Sequence, residues 1–281
     1  MKRVKVGLLC VVLPLAIRTH VVAQQATLVS VGGRQVEVVR MGEGSPTLVL
    51  ESGGGEAASQ WARILPELAK QTRVIAYSRA GFGKSTPSTL PGSPQLSVAE
   101  LHQLLQVLGE SGPLVLGGHS WGGLLVRLYA SSFPTEVAGL VLIDATHEAQ
   151  TARYEAMKPG FKFADLLRSA FPTAPPALRD LYEQVIRVGV EQKVEGMTPL
   201  RDLPLAVITA IKPCPPQESW TCSDPGVWPI WRQLHSEWSE RSTASLHLVS
   251  ARTGHYVMRD QPSLIVDGVK FVLDQVRAMK P

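Results

Sequence analysis

Ser120 lies in the run Gly118-His119-Ser120-Trp121-Gly122. The apolar stretch Pro113 to Leu116 precedes it, and a helix-like stretch from Leu124 to Ala130 follows. A serine hydroxyl is a weak nucleophile near neutral pH and needs a base within hydrogen-bond reach, itself oriented by a third group. A sharp strand-to-helix turn displays such a serine. The apex residue is held in a strained conformation, and glycines on either side let the two segments approach closely. A tight turn whose serine merely caps the helix would share the pattern, so the assignment depends on the partners.

Of the seven histidines, His255 is the candidate base. It stands in Thr253-Gly254-His255-Tyr256, between the last strand-like run and the last helix-like run. In a parallel sheet that loop lies at the carboxyl edge, where Ser120 would also be displayed. His102 and His235 fall on helix-like stretches where a surface role is the default. His247 falls within a strand and reads as structural, and His119 is expected to point away from its neighbour Ser120. The acid has three candidates. Asp144 ends the strand-like run Val137 to Ile143, which puts it on the correct edge and in the chain order serine, acid, histidine. The loop after the next strand holds Lys212-Pro213-Cys214, with Glu218 and Asp224 as its first carboxylates.

An oxyanion formed at Ser120 must be met by preorganised N–H donors. The backbone N–H of Trp121, at the start of the helix, is one candidate. Gly54, in Ser52-Gly53-Gly54-Gly55, is the other, with Gly55 as its alternative.

The elements that would position these groups follow from periodicity. Alternation from Ala26 to Arg40 around Gly32-Gly33 predicts a hairpin. Leu48 to Glu51, Arg73 to Tyr77, the run before Ser120, Val137 to Ile143, Leu203 to Ile211 and Ser245 to Val249 predict strands. Helical spacing covers Trp61 to Lys70, Leu96 to Leu108, the stretch up to Phe133, Trp228 to Arg241 and Pro262 to Met279. Continuous apolar strands alternating with helices predict an α/β fold, a mostly parallel sheet with helices on both faces. Residues 147–202 break the pattern. Helical pieces at Ala164 to Ala170 and Leu178 to Val188 are divided by Pro172, Pro175, Pro176 and Pro199, which predicts an inserted helical cap. The expected organisation is 24–146 and 203–281 as one core, with 147–202 as the insertion.

The chain has 281 residues, 44% hydrophobic and 19% charged, which suits a folded domain and excludes wholesale disorder. Its formal charge of +4 has a local source. Lys2, Arg3, Lys5 and Arg18 lie in residues 1–23, which contain no acidic residue. Without these four, basic and acidic residues balance at 24 each, so no nucleic-acid partner is expected. Residues 1–23 read as a secretory signal peptide. A basic start precedes an apolar run from Val6 to Ile17, and Val21-Val22-Ala23 resembles a cleavage site. That run is too short for a stable bilayer span, so a secreted or periplasmic location without a retained membrane span is expected. Cys214 and Cys222 then remain, eight positions apart in a Pro-rich loop, and are expected to form a disulfide. No metal or cofactor is expected, because two thiols without nearby histidines do not make a zinc site.

With these motifs together, the chain resembles the α/β-hydrolase superfamily, over nearly all of the segment after residue 23. Tyr77-Ser78-Arg79-Ala80-Gly81-Phe82-Gly83-Lys84-Ser85 is similar to that family's Asp-Arg-x-Gly-x-Gly-x-Ser stretch, with Ser78 in place of the aspartate. Gly254-His255 followed by Asp260-Gln261-Pro262 resembles its histidine loop. The glycine loop reads Glu51-Ser52-Gly53 where His-Gly is common in the family. Family members that use a later acid would place it directly after Ile211, where this chain has no carboxylate before Glu218, which favours Asp144. The resemblance implies a serine hydrolase that cleaves small or medium apolar esters through an acyl-enzyme, with Ser120, His255 and Asp144 as its catalytic residues. Phe161, Phe163, Leu166 and Leu167 are expected to line the capped pocket or to hold the cap to the core. A proline-type aminopeptidase, with Glu148 or Glu155 anchoring a substrate amine, and a non-catalytic ligand receptor are the competing expectations.

Overall fold

In the computed structural model, residues 26–215 and 223–279 are described. Among them eight strands form one sheet: β1 Thr27–Val31, β2 Arg34–Met41, β3 Thr47–Glu51, β4 Val74–Tyr77, β5 Leu114–His119, β6 Val137–Ile143, β7 Leu205–Ala210 and β8 Ser245–Ser250. Their spatial order is β1-β2-β4-β3-β5-β6-β7-β8. The hairpin β1–β2 is antiparallel and pairs antiparallel with β4, while every pairing from β4 to β8 is parallel.

Every residue of β3, β5 and β7 is buried, as expected of strands covered on both faces. Alternation within them divides the core in two. Val49, Leu116, Leu142 and Val207 face α2 (Pro94–Val107) and α3 (Trp121–Ser132), through Leu101, Leu105, Leu124 and Leu128. Leu48, Leu50, Val115, Val141 and Ile208 face the carboxyl-terminal helix Pro262–Ala278, which presents Ile265, Val269, Val272 and Leu273. Those four recur at helical spacing and make one apolar stripe. Burying each such side chain contributes about 1.5–3 kcal/mol.

Among the described residues the helices are α1 Leu65–Leu68, α2, α3, α4 Gln150–Met157, α5 Phe163–Ser169, α6 Pro176–Glu191, α7 Trp228–Ser239, α8 Val257–Asp260 and α9 Pro262–Ala278. The long helix expected over Trp61 to Lys70 is instead a 3-10 turn, Ala58–Trp61, followed by the short α1. Pro66 explains the difference, since proline fits the first turn of a helix and not its interior. Helix α2 begins two residues earlier than periodicity indicates, because the Ser93 side chain accepts from the Leu96 N–H as its cap. Between β6 and β7 the chain forms α4, α5 and α6. Leu178 and Leu181 of α6 lie over Gly55 and Gly54: a Cβ on either glycine would come within 3.3 or 3.2 Å of them.

This topology brings the candidate residues together. β5 lies between β3 and β6, so the glycine loop after β3, Ser120 after β5 and Asp144 after β6 share one edge. The loop after β8 reaches the same edge across β7. The Ile211 and Lys212 N–H groups donate to the carbonyls of Ser250 and Thr253 at 2.9 and 3.1 Å. Among the described residues no helix is long and apolar enough to cross a membrane.

Candidate active site

Ser120 joins β5 to α3 with φ 52° and ψ −122°. Its N–H donates to Ile143 O at 3.1 Å, and its carbonyl accepts from Gly123 and Thr146 N–H at 2.9 Å each. Such a conformation costs a non-glycine residue about 1–3 kcal/mol and persists only when its surroundings over-determine it. Here they do. A Cβ at Gly118 would stand 2.4 Å from the Gly122 carbonyl oxygen, and one at Gly122 would stand 2.4 Å from that of Glu51. Strand, helix and glycine loop pack too closely for side chains at either position.

His255 Nδ1 lies 2.7 Å from Asp144 Oδ2. Both residues are buried, at 7% and 1% exposure. The second carboxylate oxygen, Oδ1, accepts from the Ala210 N–H at 2.9 Å and from Trp231 Nε1 at 2.7 Å. Burial acts to raise the Asp144 pKa, but the hydrogen bond and charge of His255, with His235 and Ala210, outweigh it and hold the group below the ordinary carboxylate value. The ionised carboxylate therefore faces Nδ1 of the His255 imidazole.

The alternative acids are placed elsewhere. Asp224 accepts from Tyr154 Oη at 2.7 Å and Lys158 Nζ at 3.0 Å, and caps the turn Pro225–Val227 through Gly226 N. Glu218 lies outside the described residues, as do residues 1–23 and Cys222, the expected partner of Cys214. His235 is not at the surface. It is fully buried, with Nε2 donating to Ala145 O at 2.9 Å and Nδ1 2.8 Å from Thr209 Oγ1. His247 Nε2 meets the same hydroxyl at 2.8 Å, and His102 Nδ1 meets Tyr129 Oη at 3.1 Å.

The glycine loop is held from beneath by Arg79. Its guanidinium donates to Ser52 O and Gly53 O at 2.6 Å each and to Glu51 Oε1 at 2.5 Å. Tyr77 Oη also donates to the Glu51 carboxylate. Burial pushes the Glu51 carboxyl above its ordinary value against the pull of Arg79. Carbonyl and N–H point opposite ways in a trans peptide, so the clamp on Gly53 O turns the Gly54 N–H away from Arg79. Among the described residues that N–H has no acceptor. The Trp121 N–H, first in α3, has no acceptor within the helix. A Cβ at Gly54 would lie 3.7 Å from that of Trp121, so the two amides belong to one neighbourhood. Gly55 is in the left-handed region at φ 81° and lies against Leu178. Arg79 thus has a buried acidic partner from β3 despite Ser78. Ser78 in turn donates to the Glu37 carboxylate of β2 at 2.7 Å.

His119 does not point idly away. Gln60 Nε2 lies 2.6 Å from its Nδ1, and its Nε2 donates to the His255 carbonyl at 2.9 Å. Gln60 Oε1 accepts from the Gly53 N–H at 3.0 Å. Burial, reinforced by His255, lowers the His119 pKa to about 3. The sequence offered no signal for this, because Gln60 and His119 lie 59 residues apart.

A cavity of about 230 Å³ opens beside Trp121, walled by Phe82, Leu96, Ala177, Leu181 and Gln184. The expected lining residues are absent from it. Phe161 packs edge-on to Tyr154 with ring centroids 5.0 Å apart, Phe163 is buried, and Leu166 is 44% exposed. Helix α6 takes the place at the site that α5 was expected to occupy. Glu148 is engaged by Arg127 at 2.8 and 3.1 Å, and Glu155 by Lys162 Nζ and Phe163 N–H. Among the described residues no group of three or more His, Cys, Asp or Glu side chains could hold a metal ion.

Solved structures that match this fold are numerous. The uncharacterized protein YqjL of Bacillus subtilis is 22% identical over 229 residues, covering 80% of this chain and 83% of its own length. The 2-hydroxy-6-oxo-2,4-heptadienoate hydrolase of Pseudomonas putida is 35% identical over 131 residues, or 45% of this chain and 47% of that protein. A solved thermophilic esterase from Thermogutta terrifontis superposes with TM-score 0.60 at 21% identity, covering 90% of this chain and 99% of that one. A meta-cleavage product hydrolase from Pseudomonas fluorescens gives 0.66 at 16%, with the same coverage. These structural likenesses concern the fold. The family model described as alpha/beta hydrolase fold matches residues 46–268, a span that runs from β3 through the glycine loop, Ser120, Asp144 and His255 into α9. This chain belongs to the α/β-hydrolase family.

Proposed function

We propose that this hydrolase is a serine hydrolase that cleaves carboxylic esters of small or medium apolar substrates through an acyl-enzyme. The observation that carries the reading is the 2.7 Å contact between His255 Nδ1 and Asp144 Oδ2, on the sheet edge where Ser120 adopts its positive φ. Ser120 Oγ attacks the ester carbonyl while His255 Nε2 takes its proton. The N–H groups of Trp121 and Gly54 receive the oxyanion. As the C–O bond breaks, the imidazolium returns the proton to the leaving alcohol. Water, deprotonated by the same imidazole, then releases the acid and restores Ser120. Asp144 stays ionised throughout, holding the useful tautomer and stabilising the imidazolium.

Residues 147–202 act in this reading as a cap, with α6 over the glycine loop and the cavity beside Trp121 taking the apolar part of the substrate. The engaged state of Glu148 and Glu155 favours esters over substrates anchored by an amine. We further propose that residues 1–23 direct export and that Cys214 pairs with Cys222. Amino-terminal sequencing of the processed protein and a thiol count under denaturing conditions test both.

The decisive experiment offers purified protein a panel of p-nitrophenyl esters and aminoacyl amides, and labels it with a fluorophosphonate. Ester turnover and labelling of Ser120 are expected. Labelling of Ser120→Ala at the wild-type level overturns the assignment. Saturable ligand binding without turnover points to a receptor.

A further inference from the structure

Two histidines meet at the site, and only His255 is used by the reaction above. The other, His119, is 1% exposed and immediately precedes Ser120. Its two ring nitrogens are both engaged, in complementary senses. Nε2 carries the proton and donates to the His255 carbonyl, so Nδ1 is the acceptor and receives the Gln60 amide. The carbonyl end of Gln60 accepts from Gly53 N–H. Gln60 Nε2 also reaches Met258 Sδ at 3.6 Å, in the short helix after His255.

The chain of bonds therefore runs from the Gly53 amide, through Gln60 and His119, to the main chain of His255. It joins three segments that are remote in sequence and that must be placed within a fraction of an ångström of one another for acyl transfer. Arg79 fixes the Gly53 carbonyl from one side, and Gln60 fixes the Gly53 N–H from the other. His119 remains neutral down to about pH 3 because it is buried beside His255, so the polarity of the bridge does not reverse over the working range of a histidine base.

We propose that His119 and Gln60 are positioning residues, a neutral hydrogen-bonded bridge that sets the His255 loop against the oxyanion loop. This rests on the serine-hydrolase reading. Neither side chain touches the substrate, so both act on the rate of the chemical step and not on binding.

The test compares wild type, His119→Ala, Gln60→Ala, the double variant and His119→Gln for ester hydrolysis, fluorophosphonate labelling and thermal unfolding. Small misplacements of reacting groups cost up to about 100-fold, so each alanine variant is expected to lose about 10- to 100-fold in kcat with KM within about threefold. The two losses share one bridge, so the double variant should be no worse than the weaker single. His119→Gln, which keeps one acceptor and one donor, should recover part of kcat. Gln60 is only half-buried, so Gln60→Ala tests the bridge even where His119→Ala folds poorly.

Wild-type kcat in Gln60→Ala, losses that multiply in the double variant, or a lowered melting temperature with unchanged kcat would each overturn the bridge. An inactive, unlabelled wild type would overturn the serine-hydrolase reading and the bridge with it. An active wild type with unaffected variants overturns the bridge alone.

Discussion

Asp144 Oδ2 and His255 Nδ1 lie 2.7 Å apart although 111 residues separate them in the chain. The carboxylate comes from the end of β6 and the imidazole from the loop after β8. The intervening strand β7 contributes its own N–H, at Ala210, to the other carboxylate oxygen. Asp144 is itself at positive φ, 42°.

Replacing Asp144 by Ala should lower kcat by roughly 10³- to 10⁴-fold, since an unoriented imidazole presents the wrong tautomer. Asp224→Ala should leave kcat near wild type, because Asp224 is engaged with Tyr154 and Lys158. Steady-state hydrolysis of one p-nitrophenyl ester by both variants decides the matter. A silent Asp144→Ala with a dead Asp224→Ala would reverse the assignment.

Ser120→Gly should abolish activity and yet stabilise the fold. Glycine accepts φ 52° without the penalty a Cβ carries, and the gain left after its greater unfolded-state entropy is about 1 kcal/mol. Differential scanning calorimetry should register a rise of about 2–4 °C. Ser120→Ala, which keeps the Cβ, should be equally inactive without that rise.

Arg79→Lys should cut kcat by about 100-fold with KM little changed. One ammonium cannot reproduce the guanidinium fork that holds two carbonyls and a carboxylate, and a misdirected Gly54 N–H amounts to losing an oxyanion donor. Full activity in this variant would separate the clamp from catalysis.

Stability should fall as pH drops below about 6.5. Burial lowers the pKa of His119 to about 3 and of His147 and His235 to about 4, from an ordinary value of 6.5. The unfolded chain therefore binds protons that the folded chain refuses, and the slope of stability against pH is positive across that window. Glu148 adds to the loss at lower pH. Burial would raise its pKa, but the hydrogen bonds and charge of Arg127 outweigh this and hold it at about 2. Its contribution is complete above the unfolded value of 4.5 and disappears as pH falls towards 2. Urea midpoints that stay constant from about pH 7 to about pH 4 would contradict this.

Much of the candidate site was legible in the chain because its residues lie at strand ends. The run ahead of Ser120, Val137 to Ile143 before Asp144, and Ser245 to Val249 ahead of the His255 loop are visible as apolar strands. A parallel sheet then carries all three chain exits to one edge. Of the two expectations for Phe163 and Leu166, lining the pocket or holding the cap, the first does not hold for the cavity beside Trp121, because periodicity reports that a helix is amphipathic but not which surface its apolar face meets. His235 illustrates the same limit: its place on α7 suggested exposure, and packing against β7 and Ala145 buries it.

By itself the sequence determined the elements, their order and the chemical types at the turns, since these depend on local periodicity and on glycine and proline. Only the tertiary structure decided the partners. Asp144 with His255, Arg79 with Glu51 in place of an aspartate at 78, and Gln60 with His119 are contacts between segments 28 to 111 residues apart. No local pattern encodes them, because a hydrogen bond depends on atomic separation and direction, which are fixed only when the sheet, its helices and its loops pack together.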